Sequence, residues 1–269
     1  MAYYRKGFLY RTDDYVKCID NFTKAALLQR GPSLPEIYRQ LGLSYAHAGF
    51  KEKAIGFVIE AFRLDEDSAS YYNLLALIED NYGNLKEAIE FHKKSYASDS
   101  TDRSVIGALA REHSHLDQFK ESLKYFKKHE EIIKGLNRPL SPRAAFLIGY
   151  VYRVNGYNED AEYYFDKGLE FLNELIDLDR DFHKDLNTYF ALAGINAYRG
   201  DKEKAYEYLR IFNQRPRMPL FWIKNYKYNP LFDSIRGEPE FQQSLKDVEA
   251  KYQIQHEEVR QWLLENDML

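Results

Sequence analysis

The chain has 269 residues, of which 45% are hydrophobic and 30% are charged, and its formal net charge at pH 7 is −4. This balance is typical of a folded protein and excludes an intrinsically disordered chain. It also argues against nucleic acid as a partner, because nucleic-acid binding depends on an excess of clustered positive charge.

Cysteine and hydropathy patterns bear on the compartment of the protein. Cys18 is the only cysteine in the sequence, so an intramolecular disulfide is excluded and a reducing compartment is expected. The N-terminal residues contain no apolar run typical of a signal peptide. No window approaches the roughly 18 continuous apolar residues that a membrane helix needs. These features together predict a cytoplasmic protein that does not bind membranes.

The N-terminal stretch predicts an incomplete helix pair. Residues 13–28 have the apolar spacing of a helix, with one face formed by Tyr15, Ile19, Phe22 and Ala26. The helix that should precede it would have to begin at or before Met1. The end of a helical repeat array normally carries a polar capping element, and the aromatic residues at this end do not form one. We therefore expect that the chain follows another domain or belongs to a longer protein.

A repeated pattern follows without a gap between Ser33 and Asp102. The two copies share aromatic, small and glycine residues at equal offsets. The first copy carries Tyr38, Leu41, Gly42, Tyr45, Gly49, Ala54, Val58 and Ala61, and the second carries Tyr72, Leu75, Ala76, Gly83, Ala88, His92 and Ser95. Ala54 and Ala88 are 34 residues apart (88 − 54). A repeat of this length with these residue types predicts two helices per copy, joined by a turn.

Two position classes extend the pattern along the chain. A small residue at which the helices of a pair approach each other recurs at Cys18, Ala54, Ala88, Ser122, Ala161 and Ala205. A turn residue ahead of each small one recurs at Asp13, Gly49, Gly83, Asp117, Gly156 and Gly200. This nearly constant offset predicts five to six helix pairs over residues 1–215, with the first of them incomplete.

The pattern changes after Pro216, which defines a second predicted region at 216–269. Residues 219–228 are rich in aromatic side chains, and Pro239 opens a long helix that is predicted to end near Asn266. Heptad-like spacing gives this helix a seam formed by Phe241, Leu245, Val248, Tyr252, Gln255, Val259 and Trp262. Two interpretations stay open. The helix could cap the apolar face of the last repeat, or it could pair with a second chain to form a dimer.

The repeat residues quoted above resemble the tetratricopeptide repeat (TPR) family across about Tyr15–Asn213. The resemblance implies an all-α fold, a right-handed α-solenoid of about five to six TPR helix pairs with a long C-terminal capping helix. His92 and His113 depart from the family at positions that are usually apolar or aromatic. Residues 229–241 are similar to the segment that closes the TPR halves of many bacterial signalling proteins, which implies an interaction or sensory role.

Motifs for chemistry are absent from the sequence. It contains no H-E-x-x-H, no paired cysteines, no phosphate-binding glycine loop and no G-x-S-x-G. The seven histidines lack the helical spacing that would let two of them share a metal ion. We therefore expect a protein that is not an enzyme and that uses no metal or cofactor.

The resemblance places the ligand site on the first helices of the repeats, which line the concave side of a TPR array. The predicted groove consists of Arg39, His47, Asn73, Arg111, His115, Arg143, Phe146, Tyr150 and Arg153. Arginine binds carboxylates and an adjacent aromatic ring holds an apolar side chain, so an extended peptide is the expected ligand. These positions could also be ordinary solvated ones. The predicted function is a protein-binding or peptide-binding scaffold, and the alternative is an oligomerisation module that acts through the C-terminal helix.

Overall fold

A computed structural model describes residues 2–11, 14–29, 31–135, 142–177 and 187–269, with side chains described at all of these except 142–143 and 175–177. The regular elements in these ranges are helices. They are α1 Ala2–Tyr10, α2 Tyr15–Leu28, α3 Leu34–Ala48, α4 Lys51–Asp65, α5 Ser68–Asn81, α6 Leu85–Ser98, α7 Arg103–His115, α8 Phe119–Gly135, α9 Pro142–Val154, α10 Asn158–Asp177, α11 Asn187–Arg199, α12 Lys202–Phe212, α13 Phe221–Tyr228 and α14 Pro239–Glu265, with a 3₁₀ helix at Pro230–Phe232. Among them, none is long and apolar enough to cross a membrane.

Tight turns join the helices in pairs, as the sequence predicted. The left-handed conformation occurs at four of the predicted turn glycines, with φ of 88° at Gly49, 77° at Gly83, 87° at Gly156 and 85° at Gly200. Asp117 takes the same role without a glycine, at φ 57°. This conformation ends the first helix of a pair and reverses the chain. The sixth predicted turn residue, Asp13, lies outside the described residues.

Small side chains allow the two helices of each pair to pack closely. All six predicted positions are completely buried, namely Cys18, Ala54, Ala88, Ser122, Ala161 and Ala205. At Gly42 a Cβ atom would lie 3.0 Å from the Val58 side chain and 3.1 Å from the Ala54 carbonyl oxygen. A larger residue would force these helices apart. The periodicity of small residues and turns is therefore confirmed, and so is the all-α solenoid fold class.

The first helix pair includes α1, which the sequence did not predict within the chain. α1 has nine residues and packs on α2 through aromatic rings. The rings of Tyr4 and Phe8 lie 5.8 Å and 5.3 Å from the ring of Phe22. Gly7 permits this approach, because a Cβ atom there would lie 2.6 Å from the same ring. The expectation of a preceding domain stays a prediction.

The chain folds into two compact units. Unit 1 contains residues 1–100, 217–224 and 248–269, and unit 2 contains residues 101–216 and 225–247. The sequence predicted a repeat array over 1–215 followed by a separate C-terminal region. In the structure the C-terminal region is instead shared between the two units, because its side chains pack into the apolar core of each one.

Unit 1 is built from α1–α6, residues 217–224, which include the start of α13, and the part of α14 from residue 248 onward. Val259 and Leu263 of α14 belong to the same buried core as the residues of α2–α5. The ring of His256 stacks on Phe50 at 4.5 Å, and its Nδ1 donates a hydrogen bond of 2.8 Å to the carbonyl oxygen of Ala48. The second half of α14 therefore covers the turn between α3 and α4.

Unit 2 is built from α7–α12, residues 225–228 of α13, the 3₁₀ helix and residues 239–247 of α14. Five buried aromatic side chains meet here, namely Phe190, Phe212, Tyr226, Phe232 and Phe241. The amide of Asn213, at the end of α12, donates a hydrogen bond of 2.8 Å to the Ser244 hydroxyl of α14. The first half of α14 thus covers the last helix pair, as a capping helix does.

The predicted seam of α14 is covered within a single chain. Phe241, Leu245, Val248, Tyr252 and Val259 are all buried, and Trp262 is partly buried against the core of unit 1. The polar seam residue Gln255 is also buried. The cap interpretation predicted that the whole seam packs on the last repeat. In the structure only the first part of the seam packs in unit 2, and the rest packs in unit 1.

Candidate binding surfaces

A stretch of the chain lies along the first helices of unit 1. We call residues 217–224 the docked segment, and we call the surface around His47 of α3 and Asp80 of α5 the α3–α5 face. The backbone N–H of Leu220 donates a hydrogen bond of 3.1 Å to the carbonyl oxygen of His47. The ring of Phe221 lies 5.4 Å from the imidazole of His47. The segment is thus held by backbone and aromatic contacts.

A buried ion pair fixes the end of the docked segment. The Lys224 ammonium lies 2.8 Å and 2.9 Å from the two carboxylate oxygens of Asp80, and the two side chains are only 4% and 6% exposed. Two charges that leave water lose their hydration, and this loss is offset only by close and well-directed contacts. A shift of the segment by one residue would separate these charges, so the ion pair selects one register.

His47 is uncharged at neutral pH because neighbouring side chains shield its imidazole from most of the solvent. The ring of Tyr15 lies 5.9 Å from the imidazole and the ring of Phe221 lies 5.4 Å from it. Burial lowers the pKa of His47 to about 4, and the positive charge of Arg11 acts in the same direction. The sequence predicted His47 as a residue that contacts ligand. In the structure, His47 instead contacts the docked segment of the same chain.

Acid is expected to destabilise unit 1 through His47. The folded-state pKa of about 4 lies below the unfolded value of about 6.5, so the unfolded chain binds the proton first as pH falls. The free energy of unfolding of unit 1 therefore keeps its full value above about pH 6.5, and it decreases by up to about 3 kcal/mol as the pH falls toward 4. Urea unfolding at pH 7 and pH 4.5 measures it. His47→Leu should lessen the pH dependence, and an unchanged dependence would contradict the assignment.

The other predicted groove residues of unit 1 have partners within the chain. The Arg39 guanidinium lies 2.5 Å from the carboxylate of Asp65 and 3.5 Å from that of Asp67. Asn73 is hydrogen-bonded to the buried ring of His92 at 3.2 Å. This contact explains a histidine at a position that is usually apolar, because the amide oxygen satisfies a ring nitrogen. Arg39 and Asn73 thus connect helices of unit 1.

The predicted groove residues of unit 2 are placed differently from one another. Phe146 is completely buried, and its ring lies 2.6 Å from where a Cβ atom of Gly168 would be. This position faces α10 and cannot line a groove, which corrects the prediction. His115 is also buried, and Arg111 is half-buried. The side chain of Arg143 lies outside the described residues.

Tyr150 and Arg153 lie nearer the surface of unit 2. The ring of Tyr150 contacts those of Phe119 at 5.6 Å and Tyr198 at 5.4 Å. Burial, together with the charges of nearby aspartates, raises the pKa of Tyr150 to about 12. Arg153 forms an ion pair with Glu162 of α10. These two residues belong to unit 2, whereas the α3–α5 face belongs to unit 1.

The sequence alone did not predict the role of Lys224. A lysine inside the aromatic run at 219–228 is the one local signal that could have indicated it. Its partner Asp80 is 144 residues away along the chain, and no local pattern connects the two. The α3–α5 face is therefore apparent only in the fold.

The described residues offer little for metal binding or nucleophilic chemistry. Among them, no three histidine, cysteine, aspartate or glutamate side chains form a group that could hold a metal ion. Cys18 is enclosed beside Ser44, with 3.3 Å between its Sγ and the hydroxyl oxygen, and burial raises the pKa of the thiol to about 11. A thiol with such a pKa is a poor nucleophile at neutral pH.

No protein-family model and no curated protein matches the chain, but solved structures do. The Rap conjugation gene regulator of plasmid pLS20, solved in complex with the Phr* peptide, is 15% identical with a TM-score of 0.65, and the match covers 93% of this chain and 71% of that one. Cut9–Hcn1 of APC/C is 16% identical with a TM-score of 0.55, covering 86% of this chain and 39% of that one. MamA is 21% identical and reaches a TM-score of only 0.45, covering 61% of this chain and 91% of that one.

The similarity to Rap and Cut9 concerns the fold, since the sequence identities are low. It agrees with the helix pairs, positive-φ turns and buried small residues described above. The resemblance predicted from the sequence is thereby confirmed at this level, and the chain is a protein of the tetratricopeptide-repeat fold.

Proposed function

We propose that this chain is a non-enzymatic TPR scaffold that binds a peptide segment of a partner protein on the α3–α5 face. One observation carries the proposal, namely that this face already holds a peptide segment, the docked segment of the same chain. The contacts are those that a separate peptide would make, which are a main-chain hydrogen bond, an aromatic ring against His47 and a lysine bound to Asp80.

The docked segment defines the partner that fits. Phe221 and Lys224 are three residues apart, which places them on the same side of one helical turn. A partner segment with an aromatic residue followed three positions later by lysine would reproduce both contacts. The face is also pre-formed by packed helices, so little conformational entropy is lost when a peptide binds. The Rap regulator, which has the same fold, was solved with a bound peptide.

The setting that we propose is the cytoplasm, in the interaction part of a bacterial signalling protein. Support comes from the sequence resemblance of residues 229–241 to the closing segment of such proteins. In the structure, the Asn229 side chain accepts a hydrogen bond of 3.1 Å from the backbone N–H of Leu231 and begins the 3₁₀ helix. The alternative, oligomerisation through α14, would need an exposed seam, and the seam residues are buried in the single chain except for Trp262, which is partly buried.

Binding of the segment in trans tests the proposal. A labelled synthetic peptide of residues 215–226 is titrated against the double variant Phe221→Ala/Lys224→Ala, in which the docked segment has lost its two anchoring side chains. We expect saturable binding to this variant and at least tenfold weaker binding to the wild-type chain, whose face is occupied. The apparent Kd of a peptide that competes with a tethered segment increases in inverse proportion to the fraction of faces that the segment leaves free.

Asp80→Asn in the same background provides the specificity control. It preserves the size of the side chain but removes the charge that the peptide lysine needs, and we expect at least tenfold weaker binding. Glu60→Gln, at an exposed position of α4, should leave the affinity unchanged. The proposal is wrong if the folded double variant fails to bind the peptide, or if Asp80→Asn makes no difference.

A further inference from the structure

A cavity of about 590 Å³ opens in unit 2 between α8, α9 and α10. Four tyrosines line it, namely Tyr152, Tyr157, Tyr163 and Tyr164, and we call it the tyrosine cleft. Its volume lies within the range of small-ligand sites in proteins. The proposed peptide-binding face lies in the other unit and does not include this cleft.

A buried carboxylate forms one wall of the tyrosine cleft. Glu130 of α8 is only 9% exposed. Its carboxylate accepts hydrogen bonds from the Tyr152 hydroxyl, at 3.0 Å and 3.1 Å, and from the Tyr164 hydroxyl. Within the described part of the chain, these neutral hydroxyls are its hydrogen-bond partners, and Lys134 acts on it through its charge without a direct ion pair. Burial raises the pKa of Glu130, although the hydrogen bonds and the charge of Lys134 oppose this shift. A buried carboxylate in this state is stabilised when a cation approaches.

An ammonium group already lies on the tyrosine rings of the cleft. The Nζ atom of Lys127 is 4.2 Å from the centre of the Tyr157 ring and 5.9 Å from that of Tyr152. The negative face of an aromatic ring attracts cations in this geometry. The charges of the lining also favour a cation, since three carboxylates face two lysines. Ring faces, a buried carboxylate and open volume therefore coincide.

We propose that the tyrosine cleft binds an organic cation, a guanidinium or alkylammonium group, whose charge approaches Glu130 while its flat or apolar part lies on the ring of Tyr163. A guanidinium fits best, because it can stack on a tyrosine ring and also donate hydrogen bonds to a carboxylate. Such a cation has two sources, which are a free polyamine and an arginine side chain of a partner protein. Tyr163 is 58% exposed, so either source can reach the cleft.

Calorimetric titration of the full chain tests the proposal with three probes. They are spermidine, the blocked tripeptide acetyl-Gly-Arg-Gly-amide, and the same tripeptide with neutral citrulline in place of arginine. We expect saturable binding of at least one cation and about tenfold or greater weakening with citrulline. Tighter binding of spermidine identifies a free polyamine as the source, and tighter binding of the arginine peptide identifies a partner side chain. Equal citrulline binding, or no binding of either cation at millimolar concentration, overturns the proposal.

Variants assign the binding to the cleft. Glu130→Gln keeps the hydrogen-bond acceptor but removes the charge, and it should weaken cation binding about tenfold or more. Tyr163→Leu should weaken it several-fold by removing a ring face, and this residue is exposed enough for the fold to tolerate the change. Glu121→Gln, on the exposed side of α8, is the matched control and should leave binding unchanged. Folded Glu130→Gln and Tyr163→Leu variants with wild-type affinity would contradict the proposal.

Discussion

Replacement of Asp80 by alanine is expected to lower the free energy of unfolding of unit 1 by about 3–5 kcal/mol, because the buried Lys224 ammonium loses the carboxylate that compensates its charge. The two tryptophans of the chain, Trp222 and Trp262, both lie in unit 1, so urea unfolding followed by tryptophan fluorescence reports on this unit. The docked segment should also become more exposed, since Asp80 fixes its end.

A double substitution separates the ion pair from simple loss of packing. Asp80→Leu/Lys224→Met replaces both charges by apolar side chains of similar size, and it should recover most of the lost stability. A loss below about 1 kcal/mol for Asp80→Ala would instead match a solvated surface pair. That result would contradict the buried geometry.

Gly49→Ala is the second substitution with a large expected effect, a loss of about 2–5 kcal/mol. Part of this loss, about 1–2 kcal/mol, arises because φ at Gly49 is 88° and L-residues with a Cβ atom are strained there. The remainder arises because the new Cβ atom would clash with the Tyr252 hydroxyl and would lie 2.9 Å from His256 Nδ1. The second half of α14 would have to move away from the α3–α4 turn. Thermal unfolding followed by circular dichroism measures the loss.

Two other turn glycines provide matched controls. Gly156 and Gly200 have nearly the same φ, 87° and 85°, but a Cβ atom at either position meets no atom within 4 Å. Alanine at these positions should therefore show only the strain of about 1–2 kcal/mol. Tyr252→Phe should partly rescue Gly49→Ala by removing the clashing hydroxyl. Equal losses at all three glycines would show that α14 does not contact this turn.

The fold could be predicted from the sequence because its determinants are local and repeated. A glycine with positive φ ends each first helix at Gly49, Gly83, Gly156 and Gly200, and a small residue five positions later allows close packing. Asp117 shows that the spacing is informative even where the glycine is replaced. These features recur at nearly constant offsets, so each copy supports the others.

The candidate site could be predicted only in part, because it depends on contacts between distant residues. The repeat spacing indicated which positions lie on first helices, and His47 and Asp80 do lie there. It could not reveal that residues 217–224 cover them, since no periodicity relates that segment to α3 and α5. The prediction for Phe146 was wrong for a related reason. Helical spacing alone did not distinguish its buried orientation toward α10 from an orientation toward a groove.

Hydrogen exchange at the backbone amide of Leu220 is the most direct test of a replaceable docked segment. This amide donates to His47 in the folded chain, so it should be protected from exchange. If the segment leaves its face without global unfolding, protection should correspond to a smaller opening free energy than in the core of unit 1. It should also decrease when excess 215–226 peptide occupies the face. The opposite result is that the Leu220 amide exchanges only through global unfolding and that the peptide does not change its exchange rate. The segment would then be a fixed part of the fold, and this would contradict peptide binding at this face.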